Sequence, residues 1–221
     1  MSLIKHVVIA AAGLGSRLGM SKPKCLVEVH GKPIIAYLLE LLIDIEDVRV
    51  VTGFCEDQVM DVIKKIRPDI IFVRNANFYS TKTIDSYALG ARGIENQVLF
   101  LDADIIFSPQ SFKNFLHQCV HNKYLIGITD TKTEDAVFAQ VNEENNVISF
   151  SLETQSAFEW ANILCAPGNY FEGKSGDVYL QLEKNLPLKA CHINSFEVDR
   201  LSDLEKAISF AKTLTNKAPI K

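Results

Sequence analysis

The stretch from Val7 to Lys24, VVIAAAGLGSRLGMSKPK, constrains the fold of this chain more than any other. It begins with an apolar run, Val7 to Ala11, which is typical of a buried β-strand. A turn of small residues follows, and its glycines at 13 and 15 let the backbone approach a ligand closely. Three cationic side chains come next: Arg17, Lys22 and Lys24. Because exposed backbone N–H groups and positive side chains together bind anions, the stretch predicts a polyphosphate site.

Three other interpretations of this turn are weaker. A dinucleotide-binding turn must lead into a helix, and Pro23 interrupts the span in which that helix would run. A phosphate loop of the GxxxxGK[ST] type fails because the nearby pair Gly31-Lys32 is followed by Pro33. A plain glycine turn after a core strand stays open, although it leaves the added Arg and Lys unexplained.

Strand and helix patterns alternate through the first half of the chain. Apolar strand candidates at 48–51, 70–73 and 97–101 alternate with helix candidates at 34–43, 56–66 and 84–92. This order predicts an α/β fold: a Rossmann-like, doubly wound, mixed but mostly parallel sheet with helices on both faces. The second half has shorter strand candidates with polar turns between them and predicts a smaller β-rich part. No linker or repeat divides the chain, so we expect a single domain over 1–221.

Composition narrows the class of protein further. The chain has 221 residues, 48% of them hydrophobic, and a formal net charge of −4, which disfavours a surface that binds nucleic acid. Its five cysteines are scattered without a CxxC pair, as expected in a reducing compartment. The apolar run at the N-terminus is too short to span a bilayer. We therefore expect a cytoplasmic protein with no membrane or nucleic-acid partner.

Two aspartates end the last strand candidate of the first half. Asp102 and Asp104 lie two residues apart, so in extended backbone their side chains point to the same side. Two neighbouring carboxylates repel each other unless a cation lies between them, and Mg²⁺ prefers carboxylates, phosphates and water. The alternative is that the pair only caps the next turn.

The N-terminal pattern AAGLGSRL…KPKCLVEVHGKPII resembles the signature of the sugar-phosphate and alditol-phosphate nucleotidyltransferases. The resemblance covers residues 4–213 and is strongest to small cytidylyltransferases that act on phosphocholine, inositol phosphate, aminoethylphosphonate or phosphoglutamine. It implies a transferase that uses Mg²⁺ to move CMP from CTP to a small phosphorylated alcohol or amine, with release of pyrophosphate. It also divides the domain into a nucleotide-binding half (about 1–120) and an acceptor-binding half (about 121–214). A sugar-1-phosphate nucleotidyltransferase that uses UTP, GTP or dTTP and a non-catalytic regulatory protein stay open, and so does a homodimer.

The resemblance also implies roles for individual residues. Lys24 is assigned to the α-phosphate and the incoming phosphate, and Arg17 to the β- and γ-phosphates. Asp104 binds the metal, and Asp199 in the segment Phe196-Glu197-Val198-Asp199 completes the metal site. The full set of expected nucleotide-binding residues is Ala11, Ala12, Gly13, Leu14, Gly15, Ser16, Arg17, Lys24, Asn75, Thr83, Ser86 and Asp102.

The acceptor site is the least determined part. Lys82 stands where the family pattern has another residue type, and it could pair with an anionic acceptor group. Trp160 and Tyr170, together with Glu159, could instead hold a cationic acceptor such as choline through cation–π attraction. Glu197 points the same way as Asp199 and is expected beside the metal or the acceptor.

Overall fold

The computed structural model describes residues 4–15, 19, 22–132 and 136–215, and within them the chain forms thirteen β-strands and six α-helices. The strands are β1 His6–Ala11, β2 Glu28–Val29, β3 Lys32–Pro33, β4 Asp47–Thr52, β5 Ile71–Arg74, β6 Gln97–Asp102, β7 Ile105–Phe107, β8 Leu125–Asp130, β9 Phe138–Val141, β10 Asn146–Ser151, β11 Phe158–Pro167, β12 Leu188–His192 and β13 Ser195–Glu197. The helices are α1 Ile34–Leu41, α2 Glu56–Ile66, α3 Thr83–Gly90, α4 Pro109–Cys119, α5 Val178–Glu183 and α6 Leu201–Thr215. The predicted alternation of strands and helices in the first half is confirmed.

A nine-stranded mixed sheet organises the molecule, in the order β5-β4-β1-β6-β11-β8-β12-β10-β9. The first four strands in this order are parallel to one another. Beyond β6 only β8 and β12 run parallel, and the other pairings are antiparallel. The α/β class and the mixed sheet were predicted correctly, but parallel pairing does not predominate over the whole sheet. The reason is that the strands of the second half are joined largely by turns rather than by crossover helices, and such strands pair antiparallel.

Helices cover both faces of the sheet, as predicted. Along β1 the side chains alternate: Val7 and Ile9 belong to one buried cluster and Val8 to another. The first cluster includes apolar residues of α1, α2 and α4, and the second includes those of α3 and α5. Because the central strands are buried on both faces, the carboxyl ends of β1 and β6 are the places where polar side chains can meet a ligand.

A small antiparallel pair, β7 with β13, joins the segment that follows β6 to the segment that precedes α6. Glu197 lies opposite Ile105, and the Val198 N–H donates a 3.0 Å hydrogen bond to the Asp104 carbonyl. Helix α6 follows and packs with Phe196 and Val198 in a third apolar cluster. This pairing fixes the position of residues 197–199 beside the end of β6. None of the helices described is both long and apolar enough to cross a bilayer.

Candidate active site

The glycine turn directly follows β1 and lines a cleft of about 290 Å³. Gly15 has φ +63°, a conformation that glycine adopts without strain, and a Cβ there would lie 3.0 Å from Cγ of Lys24. Gly13, by contrast, faces open space, with no atom within 4 Å of an added Cβ. Ser16 and Arg17, which the sequence analysis assigned to the phosphates, lie outside the described residues.

Three carboxylates converge in the same cleft. Asp104 lies in the turn between β6 and β7, and Glu197 and Asp199 lie at and just after the end of β13. One oxygen atom from each of the three lies within 4.8 Å of the others. Residues about ninety positions apart in the sequence therefore form one cluster, which we call the carboxylate cluster.

Lys24 is the cation of this cluster. Its Nζ donates a short hydrogen bond to Oδ1 of Asp199 and lies 3.4 Å from Oδ2 of Asp104. Burial lowers the pKa of Lys24, but the charge of Asp104 and the hydrogen bond to Asp199 outweigh it, so the pKa lies above its ordinary value. Lys24 therefore stays protonated and neutralises part of the negative charge of the cluster.

The acidic groups hold their protons more tightly than usual. Burial, followed by the charge of Asp104, raises the pKa of Asp102 to about 7, although a 2.7 Å hydrogen bond from the Tyr87 hydroxyl opposes the rise. Burial also raises the pKa of Asp104, while Lys24 opposes that rise. The pKa of Glu197 lies well above its ordinary value because of burial and then the charge of Asp104. The raised pKa values show that the ionised carboxylates repel one another in this partly buried cluster, and a bound cation would relieve that repulsion.

Asn162 holds the glutamate of the cluster in place. Its Nδ2 donates a 2.9 Å hydrogen bond to Oε2 of Glu197. Asn162 has φ +48° in the middle of β11, where the register with β8 shifts between Trp160 and Leu164. Such a bulge re-aims a side chain, and here it turns the amide toward the cluster.

The donor set fits a magnesium ion. All three side chains offer carboxylate oxygens, the hard ligands that Mg²⁺ prefers. Two oxygens on opposite sides of an octahedral Mg²⁺ are about 4.2 Å apart, so the observed spacing needs only small side-chain rotations. Asp102 is not in this set. It lines the same cleft and is held by Tyr87 from α3.

A second cleft of about 590 Å³ adjoins the first, and Gly13, Leu14, Thr83 and Asp102 line both. Asn75 and Ser86, two of the predicted nucleotide-binding residues, also line it. The Asn75 amide donates to Oγ1 of Thr81 at 2.9 Å and to Oγ of Ser86 at 3.3 Å, so it ties the loop before α3 to the helix itself.

Lys82 lies at the rim of the second cleft, but it already has a protein partner. Its Nζ makes hydrogen bonds of 2.7 and 2.8 Å to the two carboxylate oxygens of Asp177, the residue before α5. Both side chains are largely exposed. The ion pair joins the two sides of the rim, so the expected pairing of Lys82 with an acceptor would have to break it.

A third cleft of about 520 Å³ shares Glu197 and Asp199 with the first and Trp160 and Asn162 with the second. Two of the predicted acceptor residues, Glu159 and Trp160, line it, and so does Lys132. The indole N–H of Trp160 is buried and has no hydrogen-bond partner among the described residues. Buried donors are normally paired, so this N–H is an exception.

Tyr170, predicted as a second aromatic of the acceptor site, does not line any of these three clefts. It lies in the 3₁₀ helix after β11, and only 7% of it is exposed. Its hydroxyl donates to the Gln181 carbonyl at 3.1 Å and accepts from the Asn185 amide at 3.0 Å. The structure therefore does not bring Tyr170 together with Trp160, because the chain turns after Pro167 and the Tyr170 hydroxyl bonds to α5.

Sequence reasoning missed the residues that support the site. Tyr87, Asn162 and Asp203 each contact a carboxylate or the backbone of a carboxylate-bearing segment. The buried Asp203 carboxylate accepts from the N–H groups of Asp199 and Arg200 at 3.1 and 2.7 Å and so fixes the start of α6. The one available signal was the Asp three residues after Arg200, a spacing typical of a helix N-terminus.

A sequence model of the MobA-like NTP transferase domain matches residues 7–168. Because this match spans more than half of the 221 residues, the chain belongs to that family of nucleotidyltransferases. The resemblance noted from the N-terminal signature is thereby confirmed.

Curated relatives and solved structures agree with this assignment. CMP-5′-(3-aminopropyl)phosphonate synthase from Streptomyces rubellomurinus is 32% identical over 111 residues, 47% of this chain and 18% of the relative. Choline-phosphate cytidylyltransferase from Streptococcus pneumoniae is 28% identical over 145 residues, 59% of this chain and 62% of the relative. The chain thus spans less than two thirds of either relative's length. The structure of the inositol-1-phosphate CTP transferase from T. maritima superposes with a TM-score of 0.77 at 16% identity, covering 98% of each chain, and supports the fold.

Proposed function

We propose that this protein is a Mg²⁺-dependent cytidylyltransferase that transfers CMP from CTP to a small phosphorylated alcohol or amine and releases pyrophosphate. The observation that carries the proposal is the shared cleft of the glycine turn, Lys24 and the carboxylate cluster. A phosphate-binding turn and a cation-binding cluster on facing sides of one cleft suit a triphosphate with its metal.

In this proposal each group of the cleft has one task. The N–H groups of the glycine turn bind the triphosphate, and Lys24 neutralises the negative charge that develops at the α-phosphate as pyrophosphate leaves. Asp104, Glu197 and Asp199 would hold Mg²⁺, which supplies charge neutralisation between the phosphate oxygens. Arg17 is expected to bind the β- and γ-phosphates. The attacking phosphate is already ionised near neutral pH, so the chain needs no general base.

The nucleotide half of the chain (about 1–120) contributes the glycine turn and the 75–86 loop, and we assign the base and ribose to the second cleft. Its volume of about 590 Å³ suits a nucleoside. CTP is the proposed donor because both curated relatives described above carry a cytidine nucleotide in their names.

We assign the acceptor to the third cleft, in the half over about 121–214. It opens onto Glu197 and Asp199, so a phosphate bound there would face the metal. Trp160 offers a ring face and Glu159 a carboxylate, which suits an amine-bearing acceptor. Tyr170 has no part in this proposal.

The test is a screen for pyrophosphate release with CTP, UTP, GTP, dTTP and ATP, each against phosphocholine, inositol 1-phosphate, an aminoalkylphosphonate and a hexose 1-phosphate. We expect release with CTP and at least one phospho-alcohol or phosphonate, and none after EDTA or with Asp104→Asn. Release only with UTP, GTP or dTTP and a hexose 1-phosphate would replace this proposal with a sugar-1-phosphate nucleotidyltransferase. Tight binding of a nucleotide without release under any combination would point to a regulatory protein.

A further inference from the structure

The ammonium group of Lys24 contacts two of the three members of the carboxylate cluster, Asp104 and Asp199. It bonds to Oδ1 of Asp199 and lies 3.4 Å from Oδ2 of Asp104. All three side chains are less than 20% exposed, so water screens their interaction poorly. The lysine assigned to the substrate phosphate is thus bound instead to the carboxylates assigned to the metal.

An ammonium and a divalent cation cannot both make full use of these oxygens. Mg²⁺ needs direct contacts of about 2.1 Å to the carboxylates. The lysine charge would then lie within roughly 4 Å of the ion, where two like charges in a partly buried site repel each other strongly. One of the two must leave for the other to bind well.

We propose that Lys24 is a built-in competitor for the metal: it occupies the carboxylate cluster in the free protein and leaves it when a triphosphate offers another partner. This inference rests on the proposed function, since it takes the cluster as the metal site and the triphosphate as the ligand of the adjoining turn. Its consequence is that metal and triphosphate bind together, each favouring the other, because thermodynamic coupling is reciprocal.

The surroundings of Lys24 permit the change of partner. The side chain is unbranched and carries a point charge on a flexible stem. The residue opposite its Cγ is Gly15, and a side chain at that position would block the stem, since even a Cβ would lie 3.0 Å away. The same cleft is lined by Gly13, Leu14 and Gly15, so anionic oxygens bound to the turn would lie within reach of the lysine.

The two states also differ in charge balance. In the free protein the lysine reduces the repulsion among Asp104, Asp199 and Glu197. Burial alone would lower the pKa of Lys24, but the attraction of these three carboxylates outweighs it and raises the pKa. When a triphosphate binds, the cleft gains several negative charges, and the lysine and a divalent cation can then both be accommodated. Without the triphosphate, the lysine alone neutralises enough of the carboxylate charge, and the divalent cation binds weakly.

The test is a calorimetric titration of the full-length protein with Mn²⁺ alone, without nucleotide or acceptor. Lys24→Met removes the ammonium and keeps the length of the stem, and we expect it to bind Mn²⁺ at least tenfold more tightly than the unchanged protein. Lys24→Arg, which keeps the charge, should stay weak. Lys22→Met is the matched control, because Lys22 lies two residues away, its Nζ is 3.8 Å from Glu28, and its side chain is 41% exposed. It should change the affinity less than twofold.

Equal Mn²⁺ affinities of Lys24→Met and the unchanged protein would overturn the inference, and so would an equal gain in Lys22→Met or no measurable binding by Lys24→Met.

If Lys24→Met is too unstable to purify without metal, thermal unfolding serves instead. Tenfold tighter binding then corresponds to a rise in Tm by saturating Mn²⁺ that exceeds the rise in the unchanged protein by about 3–6 °C. An equal rise overturns the inference. Neither measurement uses nucleotide or acceptor, so the two proposals can fail separately. If the unchanged protein is an active enzyme but Lys24→Met has the same metal affinity, only this inference is refuted. If Lys24→Met binds metal more tightly but the unchanged protein has no activity, only the proposed reaction is refuted.

Discussion

Replacing the aspartate that ends β6 should make the metal-free protein more stable at alkaline pH. Asp102 is half-buried and accepts a hydrogen bond from the Tyr87 hydroxyl, and its pKa is raised to about 7 by burial and then by the charge of Asp104. The folded protein therefore binds this proton more tightly than the unfolded chain, in which the carboxyl has its ordinary pKa of 3.8. Stability consequently falls as the pH rises from about 4 to about 7 and is level above that range. Asp102→Asn keeps an acceptor for the Tyr87 hydroxyl but cannot ionise.

The size of the effect follows from the two pKa values. One pKa unit corresponds to about 1.4 kcal/mol, so a carboxyl that titrates at about 7 when folded and at 3.8 when unfolded costs at most about 4 kcal/mol at pH 8. Asp104 and Lys24 share the same electrostatic environment, and water reaches the cleft. We therefore expect Asp102→Asn to be roughly 2–4 kcal/mol more stable than the unchanged protein at pH 8 and nearly equal to it at pH 4.

The measurement is urea unfolding in EDTA at several pH values between 4 and 8. Asp47→Asn provides a control of opposite sign. Burial tends to raise the pKa of Asp47, but hydrogen bonds from Arg49 and His6 outweigh it, so the pKa lies below its ordinary value. That ionised carboxylate stabilises the protein above the unfolded-state pKa, and the contribution is lost as the pH falls through the folded-state pKa. Asp47→Asn should therefore destabilise the protein at every pH from 4 to 8, because the contribution of this carboxylate is lost only below the unfolded-state pKa of 3.8. An Asp102→Asn variant that is no more stable than the unchanged protein at pH 8 would refute the account of this carboxyl.

Three further predictions test the site. Gly15→Ala and Gly31→Ala, at φ +63° and +71°, should each lose about 1–2 kcal/mol of stability in urea unfolding. Only Gly15→Ala crowds Lys24, the lysine proposed to contact the α-phosphate, so only this variant should lose about tenfold in kcat. Equal kcat values of the two variants would remove the steric argument. Asn162→Gly keeps the left-handed backbone and removes the amide that bonds to Glu197. Mn²⁺ affinity in the presence of CTP, measured by calorimetry, should therefore fall roughly tenfold. An unchanged affinity would show that the amide does not matter. Trp160→Ala should raise the KM for the acceptor, whereas Tyr170→Phe should lower Tm and leave that KM unchanged; the reverse pattern in steady-state kinetics would exchange their roles.

The sequence predicted the parts of the fold that local patterns determine. The helix over Glu56–Ile66 was predicted with the bounds observed, because its apolar period is regular and Pro68 follows its end. Strand β7, only three residues long, was missed because Ile105–Phe107 has no pattern of its own and forms by pairing with β13. The predicted dominance of parallel strands failed for a similar reason, since strand direction in the second half depends on pairings that a local pattern does not contain.

The site also has features that local sequence predicts and features that depend on distant parts of the chain. The glycine turn and the Asp102/Asp104 pair at the end of a strand were predicted from residue type and position, and Asp199 was predicted from the resemblance to the nucleotidyltransferases. The amide of Asn162 could not be found, because its orientation depends on a bulge in β11. The partner of Lys24 was also not foreseen. A lysine beside a phosphate-binding turn suggests a bond to phosphate, whereas the structure pairs it with Asp199, which lies 175 residues further along the chain.

The central claim is that the glycine turn, Lys24 and the carboxylate cluster together bind one triphosphate–metal unit. A crystal structure with CTP and Mn²⁺, recorded at a wavelength at which manganese scatters anomalously, tests it most directly. We expect the anomalous peak within coordination distance of Asp104 and Asp199, phosphate oxygens on the N–H groups of residues 13–15, and Nζ of Lys24 moved from Asp199 onto a phosphate. A peak away from both aspartates, or a triphosphate bound outside the cleft, would contradict the claim.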